Sequence, residues 1–417
     1  MTRQRLAYLS AGIILAVYLL LISGNLRAQN DQGYIYGKVT TIDDKEYIGE
    51  IRWGKEETFW DDIFNSTKER NPNLKYLDRS DYQHIRNSRS DDDDNWGNFW
   101  EIWEDKYSDY SHQFAARFGD FKAMEIKGRN DVEIEFKNGL RMDFEGGSND
   151  LGAKIRVYDQ EIGQIRLSWD RIDLIEFMET PKNLRYKYGE PLTGTVSTSI
   201  GKFYGMIQWD HEECLSEDLL DGDNEDGDIS IPFGNIKSIT RDGRGSEVVL
   251  KSGREMYLRG SNDVNNENRG VIVKTPEIGK IKISWREFDE VVFDDVPTTS
   301  GQAYSDYKEP KELFGSVFTK DGEEFSGRII YDLDEEFDFE LLNGKDEDIE
   351  FIIPFRNIKS IVPKNYNYST IELRSGKKIL LGDAQDVSDR HDGILVFENK
   401  EQPVYIPWDD VEQVVFK

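Results

Sequence analysis

Hydrophobic and polar residues alternate in short runs along most of the chain, as in Ile281-x-Ile283-x-Trp285. This two-residue period is typical of β-strands with one buried face. Between residues 247 and 293 it predicts five strands, over 247–251, 254–259, 270–274, 280–285 and 289–293. The pattern therefore predicts an all-β protein.

A short cassette recurs six times, in which an aromatic residue is followed by apolar residues three and six positions later. The aromatic anchors are Phe118, Trp169, Phe233, Trp285, Phe355 and Trp408. Residues three apart lie on the same side of a 3-10 turn, so each cassette predicts one such turn with its anchor in a core. We interpret the anchors as structural residues.

The spacing of the anchors groups the cassettes into three pairs. The two anchors of a pair are 51, 52 and 53 residues apart, whereas 64 and 70 residues separate the pairs. A glycine turn such as Ser252-Gly253 precedes five of the anchors by 30 to 33 residues. Self-similarity at a fixed period indicates a repeat protein. It predicts three domains of two half-units each, over 34–179, 191–294 and 311–417.

Each half-unit contains five predicted strands, with the cassette turn between the last two. This layout resembles SH3-like and Sm-like small barrels. Residues 315–329, G-x-V-x-T-x-x-G-x-x-F-x-G-x-I, resemble the opening of a PRC-barrel-type domain, and Ile353-Pro-Phe355-Arg-Asn-Ile358 resembles its closing strand. The resemblance implies three tandem repeats, each a pair of five-stranded SH3-like barrels. Such barrels have unrelated activities, so the resemblance implies no function.

The N-terminus has the composition of an export signal. Arg3 and Arg5 precede an uncharged run over 6–22, and Ala28 lies at a candidate cleavage site. Leu26 fits the small-residue cleavage rule poorly, so residues 1–28 are predicted to be either a signal peptide or an uncleaved anchor. We expect an exported protein of a bacterial periplasm or cell envelope, with membrane contact only through this segment.

The charge of the chain limits the class of partner that it can bind, and its cysteine content limits the cellular compartment. The chain has 82 acidic and 53 basic residues, a net charge of −29, and such a surface repels a nucleic-acid backbone. Cys214 is the only cysteine, so no intrachain disulfide can form. An exported chain without disulfides fits a bacterial envelope.

An insertion at about 70–111 interrupts the first repeat. It carries aromatic residues at helical spacing: Trp96, Phe99, Trp100, Trp103 and Tyr107. They predict either a short helix packed on the first barrel or an exposed aromatic platform for a protein or glycan partner. A disordered acidic loop is the third alternative.

Two further acidic features are candidate sites. Weak calcium candidates are Asp221, Asp223, Asp226 and Asp228, but this run lacks the glycine and glutamate of an EF-hand loop, so it also fits a solvated hairpin tip. A matched aspartate follows the glycine turn of each second half-unit, at Asp150, Asp263 and Asp386. We expect these aspartates to bind their own loop backbone, with a ligand site repeated three times as the alternative.

The sequence contains no catalytic or metal-binding motif, and its four histidines lack ligand spacing. We therefore expect a non-enzymatic exported repeat protein without cofactors, acting as an envelope scaffold or binding module for a protein or glycan. The alternatives are a membrane-tethered envelope sensor and a carbohydrate-active enzyme with paired Asp or Glu. The sequence leaves the oligomeric state open.

Overall fold

The computed structural model describes residues 30–68, 71–78, 81, 112–146, 150–399 and 402–417. Within these residues the protein is all-β, with 53% strand and no helix of seven or more residues. None of the helices in this part of the chain is long and apolar enough to cross a membrane. The predicted signal or anchor at 1–28 and the insertion aromatics at 96, 99, 100, 103 and 107 lie outside the described residues.

Ten strands form the first sheet. They are β1 (Tyr36–Thr41), β2 (Glu46–Trp53), β3 (Ile63–Lys68), β4 (His112–Arg117), β5 (Phe121–Ile126), β6 (Asp131–Phe136), β7 (Arg141–Glu145), β8 (Ile155–Asp159), β9 (Gly163–Leu167) and β10 (Ile172–Phe177).

The strands of this sheet do not pair in the order of the sequence. β1 pairs with β2 and β10, but β2 pairs with β8 rather than with β3. β3 pairs with β4 and β7, while β6 pairs with β5 and β7. The first two strands of each predicted half-unit therefore pair with two of the last three strands of the other: β1 and β2 pair with β10 and β8, and β6 and β7 pair with β5 and β3. A barrel closed within one half-unit, as the sequence order implies, would instead pair β2 with β3.

Twenty strands follow in the described residues after β10. They are β11 (Thr193–Thr198), β12 (Gly201–Trp209), β13 (Leu219–Asn224), β14 (Gly227–Pro232), β15 (Ile236–Asp242), β16 (Gly245–Leu250), β17 (Glu255–Leu258), β18 (Val271–Thr275), β19 (Gly279–Ile283), β20 (Phe288–Phe293), β21 (Phe314–Thr319), β22 (Glu324–Ile330), β23 (Leu341–Asp346), β24 (Ile349–Pro354), β25 (Ile358–Pro363), β26 (Tyr368–Leu373), β27 (Lys378–Gly382), β28 (Ile394–Phe397), β29 (Val404–Ile406) and β30 (Val411–Phe416).

The same pairing order occurs twice more along the chain. β12 pairs with β18, and β22 pairs with β28, as β2 pairs with β8. β13 and β14 form a separate two-stranded sheet, and the other eighteen strands form one large antiparallel sheet. Pairing of β19 with β24 joins the second and third groups of strands.

Short 3-10 helices connect many of these strands. They span Pro72–Tyr76, Phe118–Asp120, Trp169–Arg171, Phe233–Asn235, Asn262–Val264, Tyr304–Asp306, Phe355–Asn357, Gln385–Val387 and Trp408–Asp410. Five of the six cassettes begin one of these helices, and Trp285 begins an ordinary turn. All six anchors are at most 6% exposed, and each packs in one of the two large hydrophobic cores.

The matched aspartates bind the backbone of a strand that is distant in the sequence. The carboxylates of Asp150, Asp263 and Asp386 each accept a backbone N–H at 2.7 Å, from Asn65, Asp221 and Asn343. Their backbone carbonyls accept hydrogen bonds from the side chains of Trp53, Trp209 and Tyr331. These bonds fasten the exchanged strands to each other, a role that the expectation of an own-loop turn does not include.

Candidate functional site

A cleft of about 700 Å³ opens where the connection into the third group of strands meets the end of β30. This volume is in the range of small-molecule and peptide-anchor sites. We call it the aromatic–basic groove and define it by Lys311, Phe314, Phe337, Phe355, Arg356, Arg374, Phe416 and Lys417.

Backbone hydrogen bonds bring the walls of the groove together from distant segments. The N–H of Asp338 donates to the carbonyl of Lys311, and the N–H of Arg356 donates to the carbonyl of Asp338, each at 2.8 Å. The N–H of Lys417 donates to the carbonyl of Phe314 at 2.8 Å. These backbone hydrogen bonds therefore hold the walls of the groove together.

Aromatic side chains form the apolar part of the groove. The rings of Phe355 and Phe416 meet edge to face at 5.5 Å, and Phe337 stacks on Phe339 at 5.6 Å. Phe314 is 49% exposed at the rim. Because Phe355 and Phe416 are buried, the aromatic surface open to an apolar ligand group is that of Phe314 and the half-buried Phe337.

The charge of the groove is opposite in sign to that of the whole chain. Among its described lining residues, four are basic (Lys311, Arg356, Arg374 and Lys417) and two are acidic (Glu312 and Asp338). Lys311, Arg374 and Lys417 are exposed. In a protein of net charge −29, this cluster of exposed cations favours an anionic ligand.

Two of the cations are oriented by the protein itself. The Arg356 guanidinium lies 2.7 Å from a carboxylate oxygen of Asp120 and 3.5 Å from one of Asp338. Burial raises the pKa of Asp338, and the charge of Arg356 opposes that rise. Arg374 donates from Nε to the carbonyl of Arg356 and from a terminal nitrogen to that of Lys417, both at 2.9 Å. The guanidinium of Arg374 is thus fixed across the groove.

The second group of strands has the same backbone frame with different side chains. The backbone N–H of Ser216 donates to the Glu190 carbonyl at 2.7 Å, as the N–H of Asp338 does to the Lys311 carbonyl. Asp294 donates to the Thr193 carbonyl at 2.8 Å, as Lys417 does to that of Phe314. Acidic residues therefore stand at two positions where the aromatic–basic groove has lysines.

The first group of strands also repeats the frame, and there the chain's own connection fills it. Trp60 donates to the Gly33 carbonyl, and Gly119 donates to the Trp60 carbonyl. Lys137, directly before the Asn138-Gly139 turn, corresponds to Arg374 before Ser375-Gly376. Its Nζ donates to the backbone carbonyls of Tyr304 at 2.6 Å and Tyr307 at 2.9 Å.

Both tyrosines of this connection are bound closely. The Tyr304 ring lies 4.6 Å from the Trp60 ring, and its hydroxyl donates to the Phe121 carbonyl at 2.6 Å. The Tyr307 hydroxyl donates to the Asp61 carboxylate. A Cβ at Gly119 would lie 2.5 Å from the Tyr307 ring, so only glycine admits the ring there. The frame can thus hold a short tyrosine-bearing segment that forms a 3-10 turn.

The bound segment Tyr304-Ser-Asp-Tyr307 has an identical copy at 107–110, Tyr107-Ser-Asp-Tyr110. A search of the sequence for exact internal repeats finds this duplication, which the cassette spacing does not reveal. The second copy lies in the insertion, outside the described residues.

Among the described residues, the four calcium candidates do not converge on one point. Asp221 and Asp223 lie on β13, Asp228 lies on β14 opposite Asp223, and Asp226 is at the hairpin tip. No group of three or more His, Cys, Asp or Glu side chains is placed to share a metal ion in the described part of the chain. Cys214 is buried, and this burial raises the pKa of its thiol to about 12.

Comparison with known proteins gives the chain no family. No family model matches it, and no curated protein matches it. A solved structure titled "Streptogramin B lyase structure" aligns over 69% of this chain and 87% of that chain, with 11% identity and a TM-score of 0.14. A likeness this low indicates neither a shared fold nor a shared activity.

Proposed function

We propose that the chain consists of three repeats, each a pair of five-stranded SH3-like barrels that exchange strands. The first barrel of the first repeat would contain β1, β2, β8, β9 and β10, and the second would contain β3 to β7. The pairing order of these strands, which recurs in the other two groups, supports this assignment. The barrels then act as a rigid scaffold for the loops and connections between them.

We propose further that the protein is a non-enzymatic, exported binding module of a bacterial envelope, and that the aromatic–basic groove is its binding site. The ligand is a short protein segment that combines tyrosine with acidic residues and forms a turn like that of residues 304–307. One observation carries this proposal: the equivalent frame in the first group of strands already binds Tyr304-Ser-Asp-Tyr307 through Lys137.

The groove differs from that internal site in a way that defines its ligand. Arg356 stands at the position of Gly119, so the groove lacks the glycine that admits the Tyr307 ring in the first group of strands. The exposed ammonium of Lys311 favours a carboxylate at that point of the ligand. The exposed Phe314 ring remains available for one aromatic side chain of the ligand.

A titration of the full chain with a fluorescein-labelled peptide tests the proposal. The peptide carries the sequence of residues 104–111, Glu-Asp-Lys-Tyr-Ser-Asp-Tyr-Ser. We expect saturable binding by fluorescence anisotropy, and a loss of at least about tenfold in affinity with Arg374→Glu, because a fixed cation becomes an anion facing an acidic ligand. Arg374→Lys should retain most of the affinity.

Lys251→Glu is the matched control, since Lys251 holds the same place before its glycine turn in the second group of strands. It makes the same charge reversal away from the groove and should leave affinity unchanged. A peptide with both tyrosines changed to alanine should bind more weakly. Equal losses from Arg374→Glu and Lys251→Glu would indicate a general charge effect and would exclude the groove as the site. A chain without residues 79–111 shows whether the internal copy competes.

A further inference from the structure

The pairing of β19 with β24 is an edge-to-edge junction within the molecule. Four residue pairs face each other in it, including Ile281 opposite Phe351 and Lys282 opposite Glu350. The ammonium of Lys282 lies 3.0 Å from the Glu350 carboxylate. The junction thus combines a strand ladder with one ion pair.

Four other strands occupy the positions of β19 and β24 in their own groups: β9 and β29 correspond to β19, and β4 and β14 correspond to β24. Of these, β9 and β14 have open edges and sequences that match those of the paired strands. β9 is the last strand of the first sheet, and β14 pairs only with β13 among the described strands. The side chains of Gln164 and Arg166 on β9 are exposed, as are those of Asp228 and Ser230 on β14. Open edges of this kind present unpaired backbone N–H and C=O groups.

The sequences of the open strands match those of the paired ones. β9 is Gly-Gln-Ile-Arg-Leu, and β19 is Gly-Lys-Ile-Lys-Ile, each followed by Ser and a tryptophan anchor. β14 is Gly-Asp-Ile-Ser-Ile-Pro, and β24 is Ile-Glu-Phe-Ile-Ile-Pro, each followed by a phenylalanine anchor. Arg166 on β9 stands at the position of Lys282 on β19, and both are basic. Asp228 on β14 stands at the position of Glu350 on β24, and both are acidic.

We propose that β9 of one molecule pairs antiparallel with β14 of a second copy of this chain. In the register of the β19–β24 junction, Ile165 would lie opposite Ile229 and Arg166 opposite Asp228. The partner is a second copy because the two edges match in charge and pattern and are not paired with each other within one molecule. The two surfaces differ, so the contact is head-to-tail and builds a ring or an open filament.

Charge reversal at the two edges gives a test with internal rescue. Arg166→Asp makes acid face acid in the proposed pair, and Asp228→Arg makes base face base. We expect the wild-type chain to self-associate with rising concentration in sedimentation velocity, and each variant alone to stay monomeric. An equimolar mixture of the two variants should associate again, because every β9–β14 contact between unlike variants joins opposite charges.

Asp226→Arg is the control, since it makes the same change of charge at the hairpin tip between β13 and β14, beyond the proposed pairing. It should leave self-association unaltered. Circular dichroism of each variant distinguishes lost association from lost folding. A monomeric wild-type chain across the concentration range, or a mixture that stays monomeric, would overturn the proposal.

Discussion

At the scale of single residues, burial raises the pKa of individual carboxyl groups. Glu50 on β2 is fully buried, and one carboxylate oxygen accepts the N–H of Tyr188 at 2.9 Å. Its other oxygen has no hydrogen-bond partner within the described part of the chain. Desolvation raises the pKa of Glu50 from 4.5 to about 8. The folded protein therefore holds a proton here at pH values where the unfolded chain has released it.

This proton links stability to pH, with a defined sign. Between about pH 4.5 and 8 the folded state binds more protons than the unfolded state, so the free energy of unfolding should fall as pH rises. The slope from one such group is at most about 1.4 kcal/mol per pH unit. Glu50→Gln should flatten the dependence, as measured by urea unfolding at several pH values. The same slope in both proteins would show that Glu50 is ionised in the folded state.

At the scale of elements, the tryptophan anchors of the cassettes are similarly buried, but their indole N–H groups differ in whether they donate a hydrogen bond. The Trp169 indole donates to the Gly128 carbonyl at 3.1 Å. The indole nitrogen of Trp285 is buried and has no acceptor among the described residues. Either tryptophan changed to alanine should cost about 3–5 kcal/mol of stability, because it leaves a large cavity in a core.

Substitution of each tryptophan by phenylalanine should have a different effect on stability in the two cassettes. Trp169→Phe removes a hydrogen bond, whereas Trp285→Phe removes a buried donor that has none. We expect Trp169→Phe to cost more, by about 1–3 kcal/mol, in thermal or chemical unfolding. Equal costs would mean that the Trp285 indole is hydrogen-bonded in solution.

At the scale of the whole molecule, buried ion pairs hold the groups of strands together. The Lys274 ammonium contacts the Asp62 carboxylate, with the two side chains 2% and 3% exposed. Asp62 also accepts the N–H groups of Thr58 and Phe59. Arg52 forms two hydrogen bonds to Asp218, at 2.8 and 2.9 Å. These contacts join the first group of strands to the second.

Asp62→Asn tests this junction, because the amide oxygen can keep the loop bonds while the charge is lost. We expect a loss of about 3–5 kcal/mol in the free energy of unfolding, since the Lys274 charge is left buried without a counterion. Adding Lys274→Met to this variant should recover part of the loss. A further loss in the double variant would show that Lys274 is stabilised by other groups.

The sequence was a good guide to local structure. The five strands predicted between residues 247 and 293 match β16 to β20 with ends that agree within two residues. Period-two patterns and cassettes are properties of adjacent residues, so a single sequence displays them. The domain boundaries and the function stay predictions.

Such local patterns do not predict which strands pair or where the groove lies. Because the half-units share one pattern, β2 would bury the same face whether it paired with β3 or with β8. The sequence therefore does not distinguish the two pairings. The aromatic–basic groove takes residues from separate segments, such as Phe314 and Lys417, that only the folded sheet brings together. Its four cations are scattered through an acidic sequence and show no motif.

The exchange of strands also sets the order in which the chain can complete its fold. β2 lies about 100 residues before its partner β8, so a growing chain carries an unsatisfied edge until most of the first group has been synthesised. Open edges on incomplete chains invite pairing between neighbouring nascent molecules. The protein should therefore depend on a holding chaperone during biosynthesis more than a protein built from sequential hairpins does.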